Sequence, residues 1–537
     1  MSHSLGDLLD GIATVVDPTA PALIHNDRVI SWGEFDRRSN NLARALLERG
    51  IDYGDKAAVY MRNCPEYSEA VAAAFKSRTV HHNVNFRYTP EELIYIFDNS
   101  DAAVVFFSSE FAPQMAELRP QLDKMKLYIE VTPPGQVPLL SGALSHAELA
   151  ESGSGAPLDI ERSGDDLFFL YTGGTTGMPK AVMWPHEIFR QLGVATAALQ
   201  GKDFSTLEST LAEIKSAPSD TRILPACPLM HGTGLFTSLS VMFSGGAVVT
   251  MDSDHGLDAQ ALWETVDKHQ VNALSIVGDA FAKPMLRELE DKPGQYQLGQ
   301  VKAITSSGVM WSREVKLGLL QHLPNVLLND SFGASEAVGF GLSIMANGME
   351  TKTAKFAIGE HCKVFTEAGE EVVPGSGEAG FIARSGHIPL GYFKDKEKSD
   401  QTFKTIDGVR YSIPGDWCTV EEDGTLTLLG RGSVCINSAG EKIYPEEVEE
   451  VIKAIDGIHD VLVVGVPDEK WGSAVVAVIE GKQIPADEIK AEIKKHLASY
   501  KVPKQYLYKE SLGRAPNGKA DYQAITRYAL EALGVSV

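Results

Sequence analysis

The stretch Tyr171-Thr172-Gly173-Gly174-Thr175-Thr176-Gly177-Met178-Pro179-Lys180 decides how the chain is read. Its glycines let the backbone turn peptide N–H groups toward an anion with no Cβ in the way. Its three threonines add hydroxyl donors, and Lys180 adds positive charge. This is phosphate-binding chemistry. It differs from a Walker A loop, which needs Gly-Lys-Ser/Thr in succession; here Met178 and Pro179 separate Gly177 from Lys180. The competing reading is a glycine-rich surface turn, and the combined threonines, glycines and lysine weigh against it. The apolar residues from Leu167 to Tyr171, just upstream, predict a buried strand that delivers the chain into the loop.

Working outward, the residues before this strand alternate helix and strand. Ser31 and Glu34 have capping-box spacing and predict a helix through Leu42 and Leu46 that stops near Gly50. Lys56 to Arg62 reads as a short buried strand. Thr89-Pro90-Glu91-Glu92 repeats the cap, with Pro90 suited to the first turn. Its helix passes Ile94 and Phe97 and is followed by the strand Ala102 to Phe107. Such alternation predicts α/β layers. Glu151 to Pro157 has linker composition, and 201–220 reads as a polar surface insertion able to form a helical hairpin.

Past Gly430-Arg431-Gly432 the pattern changes. Val448, Val451, Ile452 and Ile455 share one face of a helix from Pro445, a strand follows Asp460, and Ile489, Ile493 and Leu497 align on a second helix. The expected fold is α/β: a large multi-layer N-terminal domain over 1–430 and a small α+β domain over 431–537.

Composition bounds the function. The 537 residues are 44% hydrophobic and 23% charged, ordinary for a globular chain with real cores. The net charge is −23, of which −2 falls from Arg431 onward and −21 before it. So acidic a chain lacks the basic surface that nucleic acid or an anionic membrane face requires. Five cysteines without a C-x-x-C pair argue against a disulfide framework or structural zinc. The first residues lack a signal peptide's basic and apolar regions, and no apolar stretch is long enough to span a bilayer. The expectation is a soluble, cytoplasmic protein.

The loop at 171–180 resembles the signature of adenylate-forming enzymes: acyl-CoA synthetases, luciferases and peptide-synthetase adenylation domains. Further matches follow in family order, from about residue 30 to 525. Asn329-Asp330-Ser331-Phe332-Gly333-Ala334-Ser335-Glu336 resembles the aromatic-Gly-x-Thr-Glu motif, with Ser335 in place of Thr. Gly415-Asp416-Trp417 resembles the ribose-holding Gly-Asp. Gly430-Arg431 resembles the arginine that opens a mobile domain, and Pro516-Asn517-Gly518-Lys519 the loop of the catalytic lysine.

The resemblance implies attack of a carboxylate on the α-phosphorus of ATP, then capture of the acyl group by the thiol of coenzyme A. Two anions must meet, so the site needs cations and oriented dipoles. Lys519 is expected to contact the carboxylate and α-phosphate. Glu336 and Thr172 are the candidate Mg²⁺ ligands, Mg²⁺ being a hard ion that prefers oxygen. Thr172, Gly173, Gly174, Thr175, Thr176, Gly177 and Lys180 would cradle phosphates, with Ser335 donating to the α-phosphate. Phe332 would stack on adenine with Asp330 near its amino group, beside Ser331, Gly333, Ser307 and Gly308. Asp416, an acceptor-only carboxylate, suits the ribose hydroxyls, and Arg431 would bind beside it and brace the hinge. Each has a plainer alternative: Lys519 as a solvated turn lysine, Glu336 as the cap of a helix beginning at Ala337, Asp416 as a turn residue. The ordered set favours the functional readings.

His231 matches a position at the mouth of the acyl pocket, with gating or carbonyl-orienting as its role and a satisfied core histidine as the alternative. Nothing requires it as a base, because a carboxylate is already ionised near pH 7. The candidate pocket walls are Leu235 and Phe236, Gly308 and Val309, and Ala337, Val338 and Gly339. They carry no acid to hold an α-ammonium group, and an apolar wall favours alkyl chains by about 0.8 kcal/mol per buried CH₂. The whole is similar to bacterial long-chain and sterol-side-chain acyl-CoA ligases. Ser438, Ala439 and Gly440 match the segment forming the pantetheine tunnel in CoA ligases of the family, though many relatives have Gly-Gly at 439–440. The implied partners are a small carboxylic acid, ATP and CoA, with a homodimer left open. Two other outcomes stay in competition: an acyl-AMP ligase serving a free carrier protein, and a catalytically silent nucleotide-binding protein.

Overall fold

In the computed structural model, residues 3–172, 178–252, 256–309, 311–349, 355–431, 434, 436–438, 441–468, 472–497, 499–515, 518 and 520–535 are described, with 431, 437, 441, 442 and 472 as backbone only. The loop residues Gly173 to Gly177, and Ala439, Gly440 and Lys519, lie outside these.

Two large sheets build the first part. A seven-stranded sheet runs in the spatial order Leu144–Ser145, Leu127–Val131, Ala102–Ser108, Lys56–Tyr60, Val80–Asn83, Leu167–Thr172, Lys180–Pro185. All neighbours are parallel except the last two, which form an antiparallel pair with Thr172 opposite Lys180. The strand from Ala102 is buried through Phe107, as expected for a parallel strand covered on both faces. In the fifteen-stranded sheet, the parallel strands Leu327–Ala334, Ala303–Ser307, Ala273–Ile276, Arg222–Pro225, Ala247–Thr250 and Pro21–His25 lie side by side. The C-terminal ends of Leu327–Ala334, Ala303–Ser307 and Arg222–Pro225 open into segments read above as functional, the usual ligand position in open α/β sheets.

The local signals act as the physics requires. Ser31 caps the helix Trp32–Glu48 by accepting from Glu34 N, without the reciprocal bond of a full capping box. Thr89 and Glu92 make both bonds, with Pro90 as first residue of Pro90–Ser100. The 201–220 insertion contains one helix, Leu207–Ser216, rather than a hairpin, and Ile214 is buried beneath it. The segment after Glu151 is docked rather than free: Asn41 accepts from Gly155 N and donates to Ala150 O, and Asn40 donates to Gly155 O.

The C-terminal part has its own sheet, Ile458–Asp468, Gly472–Gly481 and Gln505–Tyr508, flanked by Pro445–Lys453, Ala486–His496 and Tyr522–Leu533. Its own core includes Val448, Ile452, Val461, Val475, Ile489 and Ile493. It touches the larger part at named points: the Trp417 and Tyr444 rings lie 5.9 Å apart, and Lys283 Nζ donates to His459 O at 3.2 Å. Among the described residues no helix is long and apolar enough to cross a membrane.

Candidate active site

The strands on either side of the Gly/Thr-rich loop are held where they meet it. Tyr171 donates its hydroxyl to Asn99 Oδ1 at 2.7 Å, and Tyr95 donates to Pro179 O at 3.2 Å. Lys180 forms an ion pair with Asp395, which also caps the helix Lys396–Thr402. The Lys180 hydrogen bond is the largest influence holding the Asp395 carboxyl below its ordinary range. Leu390 to Phe393 run along Lys180–Pro185 through backbone bonds to Met183 and Ala181.

That run carries Tyr392, whose hydroxyl donates to Glu336 Oε1 at 2.7 Å in buried surroundings. Ser335 and Glu336 are the two residues between Ala334 and Ala337, which face each other across an antiparallel hairpin. Glu336 therefore sits at a hairpin tip, and Ala337–Met345 is a strand, not the helix that the plainer reading required. Trp184 Nε1 donates to Ser335 O at 3.1 Å. The phosphate-loop pair and the Ser335–Glu336 tip are thus joined through Trp184 and Tyr392.

The adjoining strand ends bring Ser307 opposite Ser331 and Ser306 opposite Asp330, with Gly308 (φ 88°) turning the chain away. Asp330 is buried and receives Lys316 Nζ at 2.7 Å. Burial raises its pKa and Lys316 opposes the rise. One oxygen is therefore already engaged by a lysine the sequence reading missed. The Phe332 ring packs 5.2 Å from Phe340 and 5.4 Å from Phe356, mostly out of solvent. Gly333 lies so close to the hairpin that an added Cβ would come within 3.2 Å of Ala337 O and Gly339 N.

His231 precedes the helix Gly232–Met242. Gly234 has no room for a side chain, since a Cβ would meet Pro228 O at 2.6 Å. The expected walls divide. Leu235 is buried and lines a small apolar core cavity together with Leu9, Tyr67, Val71 and Leu239, and Phe236 packs on Phe168, Trp184 and Phe189. Ala337 is fully buried, while Val309, Val338 and Gly339 keep partial exposure. Buried Arg384 donates to Gly339 O at 2.6 Å and fixes that wall.

Asp416 and Arg431 are cross-strand partners, and a Cβ on Gly430 would meet Glu446 Oε2 at 2.5 Å. Ser438 is buried and pairs with Glu441. Gly518 (φ 72°) is seated against the larger part, where an added Cβ would lie 2.9 Å from Ala280 Cβ and 3.7 Å from Val277 Cγ1. Val277 is also the neighbour that a Cβ on Gly308 would meet, at 4.0 Å. The loop that includes Lys519 and the Gly308 turn therefore converge on one residue.

Residues 13–393 match the family described as AMP-binding enzyme, and 447–519 match the AMP-binding enzyme C-terminal domain. The chain is 39% identical over 535 residues to the 3-oxocholest-4-en-26-oate–CoA ligase of Rhodococcus rhodochrous, covering 97% of this chain and 95% of that protein. It is 37% identical over 527 residues to the medium/long-chain-fatty-acid–CoA/3-oxocholest-4-en-26-oate–CoA ligase of Mycobacterium tuberculosis, with the same coverages. The anthranilate CoA ligase AuaEII, solved with anthranoyl-AMP, superposes with a TM-score of 0.84 at 20% identity over 99% of this chain and 98% of that one, a likeness of fold.

Proposed function

The chain belongs to the AMP-binding enzyme family and is an ATP-dependent, AMP-forming acid–CoA ligase, and on that premise we propose that its acid is a medium- or long-chain fatty acid or a sterol side-chain carboxylate. The observation that carries the choice of acid is near-full-length similarity to relatives named for those acids. The partly exposed wall of Val309, Val338 and Gly339 is small or apolar, which suits an alkyl chain or fused rings. The test is a panel from acetate to long-chain and steroid acids, read by pyrophosphate release. Preference for acetate or for small aromatic acids overturns the assignment.

In the first half-reaction a carboxylate oxygen bonds to the α-phosphorus as its bond to pyrophosphate breaks. In the second the CoA thiolate attacks the acyl carbon and AMP departs. We assign residues 1–430 to nucleotide and acid binding and 431–537 to a part that reorients between the two steps. Thr172 and the loop after it would bind phosphates. Ser335 would donate to the α-phosphate, Asp416 and Arg431 would hold the ribose, and His231 would orient the acid. Lys180 must exchange its Asp395 partner for phosphate to take part. With Asp330 engaged by Lys316, recognition of the adenine amino group falls to its remaining oxygen.

The donors at Thr172 and Glu336 fit Mg²⁺: both are hard oxygens, and the Tyr392 hydrogen bond falls on Oε1 of the Glu336 carboxylate. When bound, Mg²⁺ would neutralise charge on the β- and γ-phosphates. Glu336→Gln is expected to raise the KM for Mg²⁺-ATP about tenfold or more while AMP affinity stays within about twofold. Glutamine can still accept from Tyr392, so the hairpin survives. Equal weakening of AMP and Mg²⁺-ATP in calorimetry counts against metal binding here.

At the pantetheine path, Gly440→Leu should block thioester formation and let bound acyl-AMP accumulate, with pyrophosphate formation nearly intact. Bulk matters only when this segment lines the thiol's route. Gly440→Ala adds a Cβ but little volume and should stay close to the parent. Loss of both half-reactions in both variants, with a matching fall in Tm, would instead identify Gly440 as a turn residue.

A further inference from the structure

The phosphate-loop strand and the His231 segment are tied together by one buried side chain that belongs to neither. Asn83 ends the strand Val80–Asn83 and is 3% exposed. Its Oδ1 accepts from Tyr171 N at 2.7 Å, and its Nδ2 donates to Tyr171 O at 3.0 Å and to Met230 O at 2.6 Å. Tyr171 immediately precedes Thr172, and Met230 immediately precedes His231. The backbone pairing of these strands consists of His82 with Phe169. Beyond it, the Asn83 amide takes the place of the next peptide unit, giving Tyr171 both an acceptor and a donor while its second N–H reaches the turn before His231.

A second asparagine from the same sheet grips only the His231 side. Asn63, just past Lys56–Tyr60, donates to Pro225 O at 3.2 Å and Cys227 O at 3.1 Å, and accepts from Leu229 N at 2.7 Å. The segment leading to His231 is therefore docked by two side-chain amides, and Asn83 alone of this pair also holds the phosphate-loop strand.

We infer that Asn83 is a positioning residue for the adenylation step, setting the spacing between the nucleotide loop and the mouth of the acid pocket. The inference rests on the assignment of Thr172 and His231 to those two halves. Adenylation joins two molecules bound separately, and their reacting atoms must approach to about 3–3.5 Å. A shift of about 1 Å between the halves costs on the order of 100-fold. Thiolysis begins from acyl-AMP, in which the acyl group and the nucleotide are already one molecule. The covalent link then fixes their spacing, and the Asn83 clamp is no longer needed.

The experiment compares acid-dependent pyrophosphate release with CoA thiolysis of supplied acyl-AMP in Asn83→Leu and in the milder Asn83→Ser, with Asn63→Leu alongside and Tm recorded for each. Asn83→Leu should lower kcat for pyrophosphate release by about 100-fold, and Asn83→Ser by about tenfold, with thiolysis within about threefold of the parent in both. Asn63→Leu should act mainly on the KM for the acid. If Asn83→Leu fails to fold, Asn83→Ser decides the matter. Equal loss of both half-reactions, or no loss in either, overturns the inference. If the parent itself releases no pyrophosphate with any acid in the panel, the functional reading fails instead, a result that the parent assay reveals before any variant is made.

Discussion

Replacing Lys519 with alanine should lower pyrophosphate release by about 10²–10³-fold while CoA thiolysis of supplied acyl-AMP stays within about threefold of the parent. The reason is electrostatic. The carboxylate and the α-phosphate are both anionic, and their approach concentrates charge that a fixed ammonium group relieves. Acyl-AMP already carries an activated carbonyl, so the thiol needs no such cation. The residue before Lys519, Gly518, is firmly placed. Gly518 is seated against Val277 and Ala280, and its carbonyl accepts from Arg514 Nη1 at 3.1 Å. Arg514 is in turn paired with Asp460, which also meets Lys453 at 3.0 Å. Burial works against the Asp460 charge, but the two cations overcome it and bring its pKa down to about 2. Gly518 is thus tied through Arg514 to the small sheet and seated on the larger part at Val277 and Ala280. Equal loss of both half-reactions by a folded Lys519→Ala enzyme refutes the role.

Acid unfolding should be steep and begin well above the range where carboxylates titrate. His81, His82 and His186 are fully buried. Desolvation dominates in each, lowering the pKa to about 3, about 4 and about 3. His81 lies between Tyr67 and Phe75 with no hydrogen-bond partner on either ring nitrogen among the described residues. His186 Nδ1 accepts from Leu5 N at 3.3 Å, which fixes the neutral ring. In the unfolded chain these groups take up protons below about pH 6.5, and the folded chain refuses them until about pH 3–4. Stability is therefore full above about pH 6.5 and falls as pH falls toward the folded values. Each group contributes at most about 1.4 kcal/mol per pH unit, so three remove on the order of 5 kcal/mol between pH 7 and pH 5. Against a total of about 5–15 kcal/mol, that removes about a third or more of the stability by pH 5 and brings acid unfolding to a higher pH than the carboxylates alone would set. His81→Gln should move the midpoint down by about half a unit. Denaturant melts at successive pH values check this, and a flat stability between pH 7 and pH 5 refutes it.

Local chemistry made the elements legible. The Thr89–Glu92 cap, the buried run from Ala102 and the helix faces after Pro445 all stand where periodicity and capping placed them. The insertion at 201–220 was harder, because its polar composition hid the apolar side of a single helix, Leu207, Leu211 and Ile214. The site was legible only as an ordered set of segments. Its fixing contacts were not, because they join residues far apart in the chain and leave no periodic trace: Lys180 with Asp395, Tyr392 with Glu336, Lys316 with Asp330, Asn83 with Met230. Leu235 shows the opposite failing. It lies near His231 in sequence, yet its position on the Gly232–Met242 helix turns it into the core.

The contact between Trp417 and Tyr444 has an optical consequence. Trp32, Trp184, Trp263 and Trp311 are all fully enclosed in their cores, where reorientation of the small part leaves their surroundings unchanged. Trp417 instead stands at the junction, 4.3 Å from the Phe381 ring on its own side and 5.9 Å from Tyr444 across the boundary. Rotation after Arg431 would strip Tyr444 from the indole and admit water. In a Trp471→Phe background, which removes the remaining indole beyond the boundary, the emission of Trp417 would then shift to longer wavelength as the enzyme passes from one half-reaction to the next. Trp417 would thereby serve as a built-in fluorophore for timing the turnover cycle in a stopped-flow cell, with no label attached.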